Sequence, residues 1–200
     1  MHLIVLQVVL VTRSIIPPKA GDVVFFDPPA QLDEAIANSK IGRAAKAAST
    51  EAGAAPTPSI VSTKGKQFIK RVVGVPGEMV GVYNSNPYVT LCNKNSDECK
   101  FRVDVTGEYS RPDIFSDESW NRMTPTINAN FGNTKVGEQS SVLGTDEFFV
   151  AGDNGYRSVD SRVWGPLQRK YVFGTAQFVV FPPEHAGRIP SGNMVIKDTI

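Results

Sequence analysis

Lys70, in the segment FIKRVVGVPGE, and Ser158, Asp160 and Arg162, in the segment GDNGYRSVDSR, are the residues whose types and spacing could do chemistry in this chain. A lysine ordinarily holds its proton up to about pH 10.4, but burial beside apolar groups lowers that value by up to about 3–5 units and turns the amine into a base. In an extended strand Lys70 shares a face with Phe68 and Val72, whereas Arg71 points the other way with Ile69 and Val73. Each cation therefore faces apolar neighbours, which suits a general base. The same spacing suits an edge strand whose cations reach out to water. Ser158, Asp160 and Arg162 alternate, so an extended segment would project all three to one side, with a hydroxyl beside a carboxylate and guanidinium that can pair. Such a row could orient a neutral lysine amine. The plainer reading is a polar turn in which Asp153 and Asn154 cap their own backbone.

Other chemistries lack their residues. The two histidines are His2 at the terminus and His185 in a PPEHAG turn, poor places from which to build a Ser-His-Asp triad. There is no phosphate-binding or dinucleotide-binding glycine motif, so no cofactor is expected. A formal charge of +1 provides no electrostatic footprint for nucleic acid. Cys92 and Cys99 bracket the polar stretch NKNSDE between two strand-like runs, as a hairpin would. They are either a disulfide, which implies an oxidising compartment, or two free thiols. No histidine lies near them, so no zinc site or other metal is expected.

The elements that must position these residues are strands. AGDVVFFDPP is a short apolar run stopped by Pro28 and Pro29, QFIKRVVGVPGEMVGVY holds two strands about the Pro76-Gly77 turn, and DEFFVAGDN leads a strand into the polar loop. YVFGTAQFVVFPPEHAG is a further strand, ended by Pro182 and Pro183, and the apolar run from Leu3 to Val11 is too short to span a bilayer and reads as a strand as well. The chain is expected to form one mainly β domain over 1–200, built from antiparallel sheets. An Ala-rich insertion at about 30–66 and a polar, irregular surface segment at about 106–144 interrupt it.

FIKRVVGVPGE and FFVAGDNGYRSVDSRVWGPL, preceded by AGDVVFFDPP, together resemble the type I signal peptidases, membrane-anchored Ser-Lys endopeptidases that remove signal peptides. The three segments occur in that family's order. The resemblance implies a mainly β fold of distorted antiparallel sheets with an extended groove, in which substrate binds as an added strand. It implies Lys70 as the general base, Ser158 as the hydroxyl that orients it, Asp160 and Arg162 as a pair holding the loop in shape, and Arg71 in a structural role. Gly152, Asp153 and Asn154 match the loop's turn. Partners would be signal-peptide-bearing preproteins, with membrane association through an N-terminal anchor missing from this sequence. The domain would lie on the trans side of the membrane, in the thylakoid lumen for a plastid member or in the periplasm or cell exterior for a bacterial one. GYR at 155–157 departs from the arginine and acidic or amide residues of many bacterial members.

The nucleophile is a larger departure. In the resembled family it lies in a Ser-Met-x-Pro-Thr segment some dozens of residues before the GDVVFF-like strand. Here only Ser14 precedes Gly21, without that context, and it reads as a surface serine. RMTPTI at 122–127 imitates the motif with arginine in place of serine and in the wrong part of the chain, and Thr124 there has no support as a substitute. The expectation is a chain that carries the lysine half of a Ser-Lys dyad, no nucleophile serine, and no activity as written. The first explanation is a serine segment and anchor upstream of Met1. The alternative is a non-catalytic relative that binds signal-peptide-like segments, and a self-cleaving repressor-type peptidase is disfavoured because that group lacks the GDN…SVDSR segment.

Overall fold

The structure, a computed structural model, describes residues 8–13, 16–29, 66–83, 86–92, 99–104, 141–154 and 158–198. Ser14, GYR at 155–157, the RMTPTI segment and nearly all of the Ala-rich insertion and of the polar middle lie outside the described residues.

Strands dominate, and every pairing is antiparallel. They are β1 (Val8–Thr12), β2 (Val23–Phe26), β3 (Phe68–Gly74), β4 (Met79–Tyr83), β5 (Asn86–Cys92), β6 (Cys99–Asp104) and β7 (Ser141–Val142). β8 (Glu147–Ala151), a one-turn helix α1 (Ser161–Trp164), β9 (Leu167–Gln168), β10 (Val172–Phe181), β11 (Gly187–Arg188) and β12 (Met194–Lys197) complete the order. One sheet runs β1-β10-β2-β3-β8-β9, with β11 paired to β10, and the other runs β12-β6-β5-β4-β7. Register shifts between β1 and β10, β10 and β2, and β3 and β8 distort the first sheet. The mainly β expectation therefore holds. Residues 141–144, at the end of the segment expected to be irregular, instead supply β7 and the buried Leu143.

β3 is an interior strand, flanked by β2 and β8, and this settles which reading of its two cations applies. Alternation sends Val72 into a core with Val24, Phe26, Phe148, Val150, Val163, Trp164 and Leu167, and Val73 into a second core with Val80, Val82, Val89, Leu143, Phe149 and Ala151. Each fully buried aliphatic or aromatic side chain in these cores stabilises the fold by about 1.5–3 kcal/mol. The Pro76-Gly77 turn is closed by a bond from Glu78 N–H to Val75 O at 3.1 Å and passes the chain from β3 into the second sheet. Across that junction Arg102 on β6 grips the Glu78 carboxylate with both terminal nitrogens, at 2.7 and 2.5 Å, and donates to Val73 O at 3.0 Å. Sheet two is thereby tied to the strand that carries Lys70. At the far end of the β5-β6 hairpin Cys92 and Cys99 lie directly opposite each other and are joined as a disulfide.

Candidate active site

Lys70 lies opposite Val24 of β2 and on the Phe68 and Val72 side of β3, so its stem runs over the first core. Its ammonium position is 5.9 Å from the centre of the Phe68 ring. Burial is the main influence on its amine and pushes its pKa below the ordinary lysine value; Asp160 opposes that shift, Arg162 reinforces it, and Asp153 opposes it more weakly. The net direction is toward a neutral amine.

Gly152, Asp153 and the segment from Ser158 to Arg162 lie around this lysine. Gly152 follows directly on β8 and packs against Ser158, so that a methyl group added at Gly152 would lie 2.2 Å from Ser158 Oγ and 3.5 Å from Lys70 Cδ. Glycine is needed at this point by space alone. Ser158 is 4% exposed, and its Oγ lies close enough to Asp160 to favour the charged carboxylate without reaching well-formed hydrogen-bond geometry with any group. A buried hydroxyl without a partner is uncommon, because leaving it unsatisfied costs about 1–3 kcal/mol. Beside a neutral amine the hydroxyl can accept an N–H, which orients the nitrogen lone pair away from Ser158.

Asp160 and Arg162 are both fully buried and are joined by two bonds, Nε to Oδ1 at 2.9 Å and Nη2 to Oδ2 at 2.8 Å. Their geometry differs from the extended row expected from sequence. Asp160 is extended, but the chain then turns into α1, and the Asp160 carboxylate caps that helix by accepting from Arg162 N–H at 3.1 Å. The pair forms because the cap brings the carboxylate back onto the guanidinium two residues ahead. Burial would raise the Asp160 carboxyl, but the Arg162 charge and hydrogen bonds override it and hold the group below its ordinary value. The second carboxylate oxygen accepts from Gly152 N–H at 3.0 Å, so the pair holds the loop at the residue that touches both Ser158 and Lys70. Ser161 makes a further tie, accepting from Val150 N–H of β8 at 3.0 Å.

Arg71, on the opposite face of β3, is 4% exposed and not a solvated edge cation. Its Nε and Nη2 hold both oxygens of Asp153 at 2.8 and 2.7 Å, while Nη1 donates to Gly21 O at 2.8 Å and to Pro190 O at 3.0 Å. The two adjacent cations thus serve one loop from two sides of the strand. Sequence reading placed Asp153 in a self-capping turn and missed its pairing with Arg71, since nothing local links residues 82 positions apart. It also missed Ser161 and the segment around Gly192; the run PSGNMVIK, with a turn-forming Ser-Gly-Asn before an apolar strand, was the available signal for the latter. Asn154 lies at the exposed end of the loop. His185 is exposed in a short 3₁₀ turn remote in sequence from these groups.

An antiparallel β frame that half-buries a lysine, packs it and a buried serine hydroxyl against one glycine, and sets a buried carboxylate-guanidinium pair next to them defines a lysine-centred site. The family described as signal peptidase, peptidase S26, matches residues 3–181, and the chain belongs to that family. It is similar to the signal peptidase I of Bacillus licheniformis, 31% identical over 130 residues that make up 60% of this chain and 53% of the relative. It is also similar to the probable signal peptidase I-1 of Synechocystis sp. (strain ATCC 27184 / PCC 6803 / Kazusa), 27% identical over 184 residues, covering 92% of this chain and 65% of that protein. A crystal structure of a signal peptidase I from Enterococcus faecalis V583 aligns over 81% of this chain and 98% of that one, with 18% identity and a TM-score of 0.36. The chain spans from about half to just under two thirds of the length of these two curated relatives.

Proposed function

We propose that this chain is the lysine-bearing part of a serine endopeptidase that removes signal peptides from translocated proteins. The observation that carries the reading is the half-buried Lys70 side chain, its amine lowered in pKa by its surroundings and its stem placed with the Ser158 hydroxyl against Gly152. In the proposed reaction a serine hydroxyl attacks the scissile carbonyl while Lys70 takes its proton. The resulting ammonium then returns the proton to the leaving amine, and water hydrolyses the acyl-serine in the same manner. In this reaction the Ser158 hydroxyl, which makes no bond to the amine in the resting structure, would accept an N–H from it and so keep the nitrogen lone pair aimed at the nucleophile. Ser158 is itself too buried to reach a substrate, so the attack falls to a different serine. A location on the trans side of a membrane is supported by the Cys92–Cys99 disulfide, which persists in oxidising compartments. Among the described residues no helix is long and apolar enough to cross a membrane.

The test is to sequence the coding region upstream of Met1 and assay the encoded protein on a signal-peptide-bearing preprotein. A Ser-Met-x-Pro-Thr segment there, with cleavage that Lys70→Met lowers by about 10²–10⁴-fold or more, is the expected result. A coding region without that segment, and a product that binds the preprotein without cutting it, would establish the non-catalytic reading in its place. The chain as written is expected not to cleave; turnover that survives Ser14→Ala and vanishes in Lys70→Ala would place a working nucleophile within it.

A further inference from the structure

The segment after β10 crosses the molecule from the first sheet to the second. β11 pairs with β10 through Phe178 opposite Arg188 and Val179 opposite Gly187, and Ile189 N–H then donates to Gln177 O at 2.9 Å. The chain leaves the first sheet there. Pro190 O accepts from Arg71 Nη1 at 3.0 Å, Gly192 N–H donates to Gly21 O at 3.0 Å, and β12 joins β6 of the second sheet with Val195 opposite Val103. One continuous segment therefore runs from sheet to sheet directly over the residue next to Lys70. It lies beyond residue 181, where the family match ends.

Gly192 is fitted against Arg71 with no space to spare. A methyl group added there would sit 2.7 Å from Arg71 Cδ and 3.2 Å from Gly21 Cα. Gly21 O is shared, accepting from both Arg71 Nη1 and Gly192 N–H. A guanidinium is a rigid planar fork, so the position of its Nη1 edge dictates the direction in which Nε and Nη2 point. Here Nη1 is placed by Gly21 and Pro190, and the other two nitrogens grip Asp153. Asp153 is bonded in sequence to Gly152, whose N–H is held by Asp160 and whose Cα faces Ser158 and Lys70.

We propose that residues 187–197 form a positioning strap for the lysine site, in which Gly192 and the Pro190 carbonyl seat Arg71, Arg71 seats Asp153, and Asp153 sets Gly152 against Ser158 and Lys70. The inference rests on the reading of Lys70 as the base. It assigns positioning roles to Pro190 and Gly192. The charged groups that act on Lys70 are Asp160, Arg162 and Asp153, all carried by the loop and helix that the strap restrains. Displacing the strap loosens that loop, admits water to the amine and moves its titration upward.

The experiment titrates Lys70 directly, by the pH dependence of its acetylation with acetic anhydride, read by mass spectrometry of the peptide that contains it; only the neutral amine reacts, and no nucleophile is needed. Gly192→Val is expected to raise the Lys70 midpoint by about one pH unit, a tenfold loss of neutral amine, while the protein still unfolds cooperatively on heating. In an Arg71→Ala background the same substitution should add little further shift, because its route passes through Arg71. If Gly192→Val does not fold, Gly192→Ala is judged by the same midpoint. A wild-type midpoint near the ordinary 10.5 would overturn the general-base reading. A lowered wild-type midpoint that a folded Gly192 variant leaves unmoved, or moves equally with and without Arg71, would overturn the strap alone.

Discussion

Gly152 and Ser158 are packed so closely that the hydrogen facing Ser158 on the glycine Cα could not be replaced by a methyl group, which would stand 2.2 Å from Ser158 Oγ and 2.6 Å from its Cβ. This contact sets the distance between the loop and the lysine, because Gly152 also faces Lys70 Cδ.

Gly152→Ala should therefore destabilise the fold by about 1–3 kcal/mol, the usual effect of overpacking, and push the loop off Lys70. Ser158→Gly removes both clashing atoms. The double variant is expected to regain most of the stability lost in Gly152→Ala, which a double-mutant cycle from urea denaturation would measure. Additive losses in the double variant would show that the contact does not set the loop's position.

Lys70 is a net liability to stability at neutral pH. Its folded-state pKa is lowered by burial, so between that value and the ordinary 10.5 the unfolded chain holds a proton that the folded chain has lost. Stability then rises with pH across that window. Lys70→Met keeps the apolar stem and removes the amine, so the variant should be more stable than the natural chain at neutral pH, with the difference shrinking as pH climbs toward 10.5. Denaturation midpoints measured across that range test it. A difference that does not change with pH would mean the amine titrates as it does in the unfolded chain.

Asp160 carries the opposite sign. Its carboxyl is held below the ordinary 3.8 in the fold, so it contributes stability that is present above that pH and is lost as pH falls through the lower folded value. Asp160→Asn should flatten the acid limb of the stability profile. At neutral pH it should also destabilise by about 3–5 kcal/mol, because Arg162 is left buried without its charge partner. Replacing both residues by leucine and methionine should be less damaging than Asp160→Asn alone, and a double variant that is worse would show that the pair does more than neutralise itself.

The Cys92–Cys99 bridge closes a short loop, with a sequence separation of 7. Chain-entropy reasoning puts its contribution at about 2–3 kcal/mol. Replacing both cysteines by serine should lower stability by that order. Alkylation of the protein under native oxidising conditions should leave both residues unlabelled until a reductant is added, as mass spectrometry would show; full labelling without reductant would contradict the bridge.

Much of the frame was legible in the sequence because the relevant signals are local. Val-rich runs bounded by proline and glycine read as strands, Pro76-Gly77 read as the turn after β3, and the alternation in FIKRVV placed Lys70 and Arg71 on opposite faces, each of which proves to have its own core. The order of three motifs was enough to reach the family. What alternation could not supply was the bend after Asp160. A one-turn helix with an aspartate cap has too few residues to show a 3.6-residue period, so the extended row expected for Ser158, Asp160 and Arg162 became a capped turn with a folded-back ion pair.

By itself, then, the sequence determined which residues have the chemistry: a lysine within an apolar strand, a hydroxyl beside a carboxylate and a guanidinium, and glycines at the loop. Only the tertiary structure decided what each of them does. Burial, and with it the lowering of the Lys70 amine, depends on β3 lying between β2 and β8, a fact of sheet order that residues 68–74 do not contain. The partner of Arg71 was decided in the same way. Asp153, Gly21 and Pro190 come from three distant parts of the chain, and a rigid guanidinium selects among them by direction and distance, which exist only once the two sheets and the segment between them are packed.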